Sequence, residues 1–363
     1  MPIIKPTFIV DKAKALRNIA RIKEKIAKSP GVRFRPHFKT HQSAQTGEWF
    51  REMGVSAITV SAVDMAFYFA QHGWTDITIA VLVNPLEIER IKQLAETVDL
   101  NLLVDSRESV TFLAHQLTKS VNVWIKIDTA YQRTGIEYDQ TGEILAVVKE
   151  INQSPILHFK GLLTHAGHSY RAQSAEELKS IYADTVTKMA GIREYLKTRG
   201  IAAVEISIGD TPTCSVVDTY YGVDEVRCGN FVFYDVMQMA IGSCQEEDIA
   251  AAVACPVIAR YPQRNEIVIY GGAVHLSKEF ITNDNEQKIF GLVALPNEGC
   301  NGWGPSLADT YVSALSQEHG IIRTTEAFIR QVRVGDIVMV LPVHSCLAAD
   351  LMRQHGITVT VES

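Results

Sequence analysis

Residues 35–41 read RPHFKTH, with His37, Lys39 and His41 at alternate positions. On a strand, that alternation would line one face with two imidazoles and an amine. Such an amine either adds to a carbonyl as a nucleophile or stands as an ordinary surface lysine. Further along, KIDTAYQRTG (126–135) brings Asp128, Thr129 and Arg133 together, and THAGHSY (164–170) brings His165, His168 and Tyr170. GDTPT (209–213) and CGNFVFYD (228–235) set Gly209 and Gly229 beside Thr211, Thr213 and Asn230. Their backbone N–H groups and hydroxyls could cradle a phosphate or simply make turns. His344 and Cys346 share a face if their segment is extended. That pairing is either a ligand set suited to Zn²⁺ or a solvated imidazole beside a buried thiol.

These clusters need elements to hold them. Asp11 is a good N-cap, and Leu16, Ile19, Ile22 and Ile26 predict an amphipathic helix that stops near Ser29-Pro30-Gly31. Eight apolar or β-branched runs follow, at 32–39, 57–63, 77–83, 100–105, 121–128, 156–167, 203–210 and 224–233, with helical segments between them. Eight strand–helix repeats predict a (β/α)8 barrel. An open doubly wound sheet is the alternative, but no G-x-G-x-x-G follows the first run. From residue 241 the pattern alternates apolar and polar residues between Gly, Pro and Asn turns. The expected division is therefore a barrel with an N-terminal extension over 1–240 and a mostly β domain over 241–363.

On that frame, the chemical residues fall where barrel enzymes place theirs, at the carboxyl ends of the strands. Lys39 closes strand one. Asp128 to Arg133 follow strand five and His165 to Tyr170 follow strand six. GDTPT follows strand seven and CGNFVFYD strand eight, the usual phosphate-binding loops of a barrel. An amine at the mouth, flanked by His37 and His41 and facing a phosphate cradle, suits a Schiff base to pyridoxal phosphate. Asp128 and Arg133 serve either as a structural pair or at the cofactor. His72, His115, His158 and His355 lie apart from the clusters and are expected to be packed or solvated.

Composition excludes several other functions. The chain has 363 residues, a net charge of −6 and no basic block, which argues against a nucleic-acid surface or a polybasic membrane patch. No apolar run approaches a membrane span, and the N-terminus does not read as a signal peptide. Six cysteines without a CxxC pair predict free thiols in a reducing cytoplasm.

PTFIVDKAKALRNIARI (6–22) followed by RPHFKTH resembles the opening of the fold-type III pyridoxal-phosphate enzymes, the alanine-racemase-like barrels. More narrowly, the chain resembles the D-threonine aldolase and D-serine dehydratase family. THAGHSY, GDTPT, FVFYD, SQEHG (316–320) and VGDIVMVLPVHSC (334–346) match in the family's order, so the resemblance covers nearly the whole chain. It implies an alanine racemase N-terminal type barrel with a C-terminal β domain. Lys39 would be the Schiff-base lysine and α-proton acid/base, and Tyr170 a neighbouring acid/base or orienting phenol at the cofactor. His37 and His165 would line the cofactor, with Thr211 and the Gly229-Asn230 turn on its phosphate. His344 and Cys346 would ligate a divalent metal, zinc first, with manganese or magnesium as alternatives.

The resemblance further implies a lyase acting on β-hydroxy D-amino acids. A cysteine at 346, rather than a carboxylate, points to D-serine dehydratase-type elimination, giving a keto acid and ammonia. Retro-aldol cleavage to glycine and an aldehyde, as in D-threonine aldolase, is the alternative. Behind these stand an amino-acid racemase and a non-catalytic pyridoxal-phosphate-binding protein. The first needs no metal, and the second lacks a C-terminal β domain. A homodimer is implied, one chain's C-terminal domain completing its partner's site. Glu318-His319 is a family marker without an assigned role.

Overall fold

The computed structural model describes residues 3–354 and 358–362; His355 lies outside them. The chain forms two compact units, residues 21–229 and residues 1–20 with 230–363.

In the first unit all eight expected runs become strands, and every neighbouring pair is parallel. They are Arg33–Phe34, Ala57–Val60, Asp76–Leu82, Asp99–Val104, Val121–Asp128, Leu157–Thr164, Glu205–Ile208 and Glu225–Val226, here numbered one to eight. Strand two pairs with three, three with four, and so on to eight, which pairs with strand one. A single bridge between His37 and Thr59 closes the circle, with Phe38 N donating to Thr59 O at 2.9 Å and Thr59 N to Pro36 O at 2.9 Å. The expected barrel is there. Strand one is short, but its bonds to strand eight run on past Pro36, with Arg35 N donating to Val226 O and His37 N to Cys228 O, each at 3.0 Å.

Strands four and five come nearest the continuous buried run of a parallel sheet covered on both faces, strand five being buried at seven of its eight residues and strand four at five of six. A buried polar network nevertheless links strands one, seven and eight. Arg35 Nε donates to Glu225 Oε2 at 2.7 Å, and Glu225 Oε1 accepts from Ser207 Oγ at 2.7 Å. Ser207 Oγ accepts in turn from Arg227 Nε at 2.6 Å. Arg35 and Glu225 form an ion pair, while Arg227 is held by neutral oxygens, donating also to Thr164 O at 2.7 Å. Each of these buried charges is thus hydrogen-bonded, which is the condition for keeping it inside.

The second unit is built on an eight-stranded sheet. Its order is Glu266–Tyr270, His319–Arg323, Trp303–Leu315, Gly291–Pro296, Ile337–Pro342, Ala251–Tyr261, Thr7–Asp11 and Thr358–Val361. All neighbours are antiparallel except the last two, which run parallel. Thr7–Asp11 is fully buried and pairs with Ala251 to Ala254, so the opening residues belong to this sheet. Periodicity shows that such a stretch is extended, but not which distant strand it will pair with. The expected boundary after 240 lies eleven residues beyond the division after Gly229. Asp11 caps the helix Lys12–Ala27, accepting from Lys14 N at 3.0 Å, as its type and place predict.

Candidate active site

Lys39 sits on a turn, not on a strand. The bridge at His37 is the last ladder position, and residues 38–41 then turn, ending at Gln42 with φ of 46°. Phe38 anchors the turn, packed at 5.1 Å from Phe50, 4.9 Å from Phe69 and 5.1 Å from Trp74. His41 joins that aromatic cluster, 4.4 Å from Phe38 and stacked at 5.7 Å on Phe50. The expected common face of His37, Lys39 and His41 therefore does not form: His41 is core, and Lys39 is exposed. Strand alternation was the wrong geometry because the strand ends two residues early.

Lys39 N donates to His37 Nδ1 at 3.3 Å, which leaves the imidazole proton on Nε2. Burial holds His37 well below the usual imidazole range, and the charges of Lys39 and Arg227 push the same way. Burial likewise depresses His165, again with Lys39 as the leading charge and Arg133 next. The structure thus gathers Lys39, His37 and His165 at one mouth of the barrel, with both imidazoles neutral. Tyr170 lies 6.2 Å from the His165 ring and Tyr131 5.9 Å from it.

Loops seven and eight come alongside. Asp210 accepts from Thr213 N, Thr213 Oγ1 and Ser169 Oγ, each at 2.9 Å, tying the loop after strand six to the helix Thr211–Val216. Burial raises the Asp210 carboxyl and those bonds oppose the rise. Gly229 runs against the turn that carries Lys39, so close that a Cβ there would lie 2.5 Å from His37 O. Among the described residues the N–H groups of Thr211 and Gly229 find no acceptor. His168 Nδ1 is buried without a partner.

Asp128 and Arg133 do pair, but through the backbone. Asp128 accepts from the N–H groups of Ala130 and Tyr131 at 2.8 Å and of Arg133 at 3.2 Å. The guanidinium of Arg133 instead lies 4.9 Å over the Tyr131 ring. Sequence reading missed two neighbours here. Tyr131 fills the space that a side chain at Gly167 would need. Lys126, buried on strand five, is pushed down to about 7 by burial and by Arg227. A lysine two residues before Asp128 in a buried strand was the available signal.

In the other unit, His344 precedes the helix Ser345–Gln354 and Cys346 is that helix's second residue. The expected extended H-x-C is therefore a helix start. Asp235 accepts from Ser345 N at 3.0 Å and from Gln238 N at 2.9 Å. Burial raises its carboxyl, and the charge of His344 is the leading opposing cause, which places the imidazole beside it. Asn230 spends its carboxamide here, donating to Asp235 Oδ2 at 2.7 Å, Ser345 Oγ at 3.1 Å and Cys346 Sγ at 3.4 Å. Only its backbone N–H is left for a phosphate. Among the described residues no group of three or more His, Cys, Asp or Glu could hold a metal. The marker Glu318 holds Gly271 N through its carbonyl at 3.0 Å, and its carboxylate lies 3.9 Å from His275 Nε2.

An exposed amine between neutral imidazoles, beside free backbone N–H groups, fits an aldehyde cofactor carrying a phosphate. An imidazole and a thiol, with no third ligand grouped with them among the described residues, fit a divalent cation with open positions. This is the fold of an alanine-racemase-like barrel with a candidate cofactor site at its mouth. Residues 10–236 match the family model of the alanine racemase N-terminal domain, and residues 250–358 that of a serine dehydratase domain. The chain belongs to the alanine racemase N-terminal domain family, in its branch with a serine dehydratase domain.

D-threo-3-hydroxyaspartate dehydratase of Delftia sp. HT23 is 30% identical, over 94% of this chain and 90% of the relative. Its solved structure has a TM-score of 0.88, covering 96% of this chain and 93% of that one. Solved variants of that enzyme, with TM-scores of 0.88, include a cysteine-to-alanine form described as metal-free and a histidine-to-alanine form. The two substituted residues stand two positions apart, the spacing of His344 and Cys346. D-serine dehydratase of Dictyostelium discoideum is 28% identical, over 97% of this chain and 92% of the relative. D-threonine aldolase from Filomicrobium marinum, at 19% identity, shares the fold with a TM-score of 0.81 over 95% of this chain and 88% of that one.

Proposed function

We propose that this chain is a pyridoxal-phosphate- and divalent-metal-dependent lyase for β-hydroxy D-amino acids, catalysing D-serine dehydratase-type elimination to a keto acid and ammonia. The observation that carries it is Lys39, exposed on its turn between two imidazoles that burial keeps uncharged. Lys39 Nζ would hold the cofactor through its aldehyde, with Thr211 and the Gly229-Asn230 turn on the phosphate. When bound, the cofactor supplies an electron sink for negative charge developing at the substrate's Cα. Lys39 Nζ is also the group that holds the proton taken from Cα. Neutral His37 and His165 add no cation to compete with the amine for anions. The bond from Lys39 N to His37 Nδ1 fixes where the lysine stem leaves the backbone. Tyr170, next to His165, is the second acid/base.

His344 and Cys346 would hold the cation, whose Lewis acidity makes a β-hydroxyl a better leaving group. The thiolate favours Zn²⁺, with harder Mn²⁺ or Mg²⁺ less suited. The metal-free cysteine variant of the Delftia dehydratase supports this pair. All six cysteines are free thiols, in keeping with the cytoplasmic expectation. No helix among the described residues is long and apolar enough to cross a membrane. Homodimeric assembly follows from the family resemblance.

Borohydride reduction of the purified holoenzyme should fix the cofactor on Lys39, read by peptide mapping, and Lys39→Ala should be colourless. Label on another lysine, the buried Lys126 for example, would refute the site assignment.

A further inference from the structure

The carboxamide of Asn230 has two N–H bonds and three acceptors around it: Asp235 Oδ2, Ser345 Oγ and Cys346 Sγ. Both Asn230 and Asp235 are buried, at 3% and 1% exposed. Asp235 has a structural task of its own. It caps the helix Val236–Ala240 through Gln238 N, and it holds the start of the Ser345–Gln354 helix through Ser345 N and Oγ. That task accounts for the carboxylate but not for Asn230. Capping needs no group reaching on to sulfur, and the carboxamide reaches it while its own Oδ1 stays buried without a partner. Leaving a buried carbonyl oxygen unbonded is costly, so the orientation is imposed from outside. The carboxylate imposes it: a flipped carboxamide would set oxygen against Asp235 Oδ2.

We propose that Asp235 and Asn230 are positioning residues for the cation pair. Asp235 orients the carboxamide, and the carboxamide N–H fixes the direction in which Cys346 Sγ presents its lone pairs. Outer partners of this kind set the geometry of metal ligands and tune them. The inference rests on the metal reading of His344 and Cys346. It moves Asn230 from the phosphate to the cation as the principal duty of its side chain.

Titration of the metal-free protein with Co²⁺ tests it, following the thiolate-to-cobalt charge-transfer band and the dissociation constant. Asn230→Ala and Asn230→Ser should each weaken Co²⁺ binding about 10- to 100-fold and shift or weaken the band. The serine variant keeps a hydroxyl at the site but is too short to reach Cys346, so it keeps the test open if the alanine variant folds poorly. Melting temperatures of the metal-free variants separate loss of fold from loss of metal. Wild-type affinity and an unshifted band in the Asn230 variants, with the band abolished in Cys346→Ala, would overturn the positioning role and leave the metal reading standing. Unchanged Co²⁺ binding in both His344→Ala and Cys346→Ala would remove the metal reading and this inference with it.

Discussion

Lys39 and His41 are two residues apart and lead opposite lives. One is exposed at the mouth, and the other is stacked on Phe50 in the core. Burial pushes His41 down to about 3 from an ordinary 6.5. It therefore stays neutral in the folded protein while the unfolded chain takes up a proton. The sign follows: stability is unaffected above about pH 6.5 and is lost as pH falls towards 3. The slope is about 1.4 kcal/mol per pH unit within that window. Between pH 7 and pH 5, His41→Leu should lose about 2 kcal/mol less stability than the wild type, by urea denaturation of the cofactor-free protein. Equal losses in both proteins would show that His41 is not the buried neutral group described. The residue types at 37, 39 and 41 were legible in the sequence. Their separation was not, because it depends on Phe38 finding Phe50, Phe69 and Trp74 across the fold.

At the scale of elements, all eight barrel strands were readable, since each is a short apolar run bounded by turn residues. The limits of that reading have physical causes. Strand one gives way to a turn after His37, and Thr7–Asp11 pairs with strands more than two hundred residues away, which no local pattern reveals. Cys346 lies at a helix start because Asp235, from another element, caps it. The close pass of Gly229 over His37 is the element-level feature that shapes the barrel mouth. Gly229→Ala would put a Cβ 2.5 Å from His37 O and 2.8 Å from His37 Cβ. The expected cost is about 1–3 kcal/mol of stability, as for other overpacked sites. Because His37 leads into Lys39, the variant should also retain less cofactor, measured by absorbance of the purified protein alongside its thermal melt. A fully coloured variant melting at the wild-type temperature would show that the contact is slack.

For the whole molecule, the family was readable from motifs spread along nearly the entire chain, and the matches over residues 10–236 and 250–358 agree. The chemistry within the family turns on fewer atoms. Elimination and cleavage would both draw on the proposed Lys39, Tyr170, His344 and Cys346, and differ in which bond at the β-carbon breaks. Elimination is the reaction proposed for this chain. Product analysis after incubating the holoenzyme separately with D-serine and D-threonine, with Zn²⁺ present, tests this most directly. Equimolar keto acid and ammonia, with the L-isomers inert, is the predicted result. Glycine and an aldehyde as the products, or turnover of L-serine at a comparable rate, would contradict it.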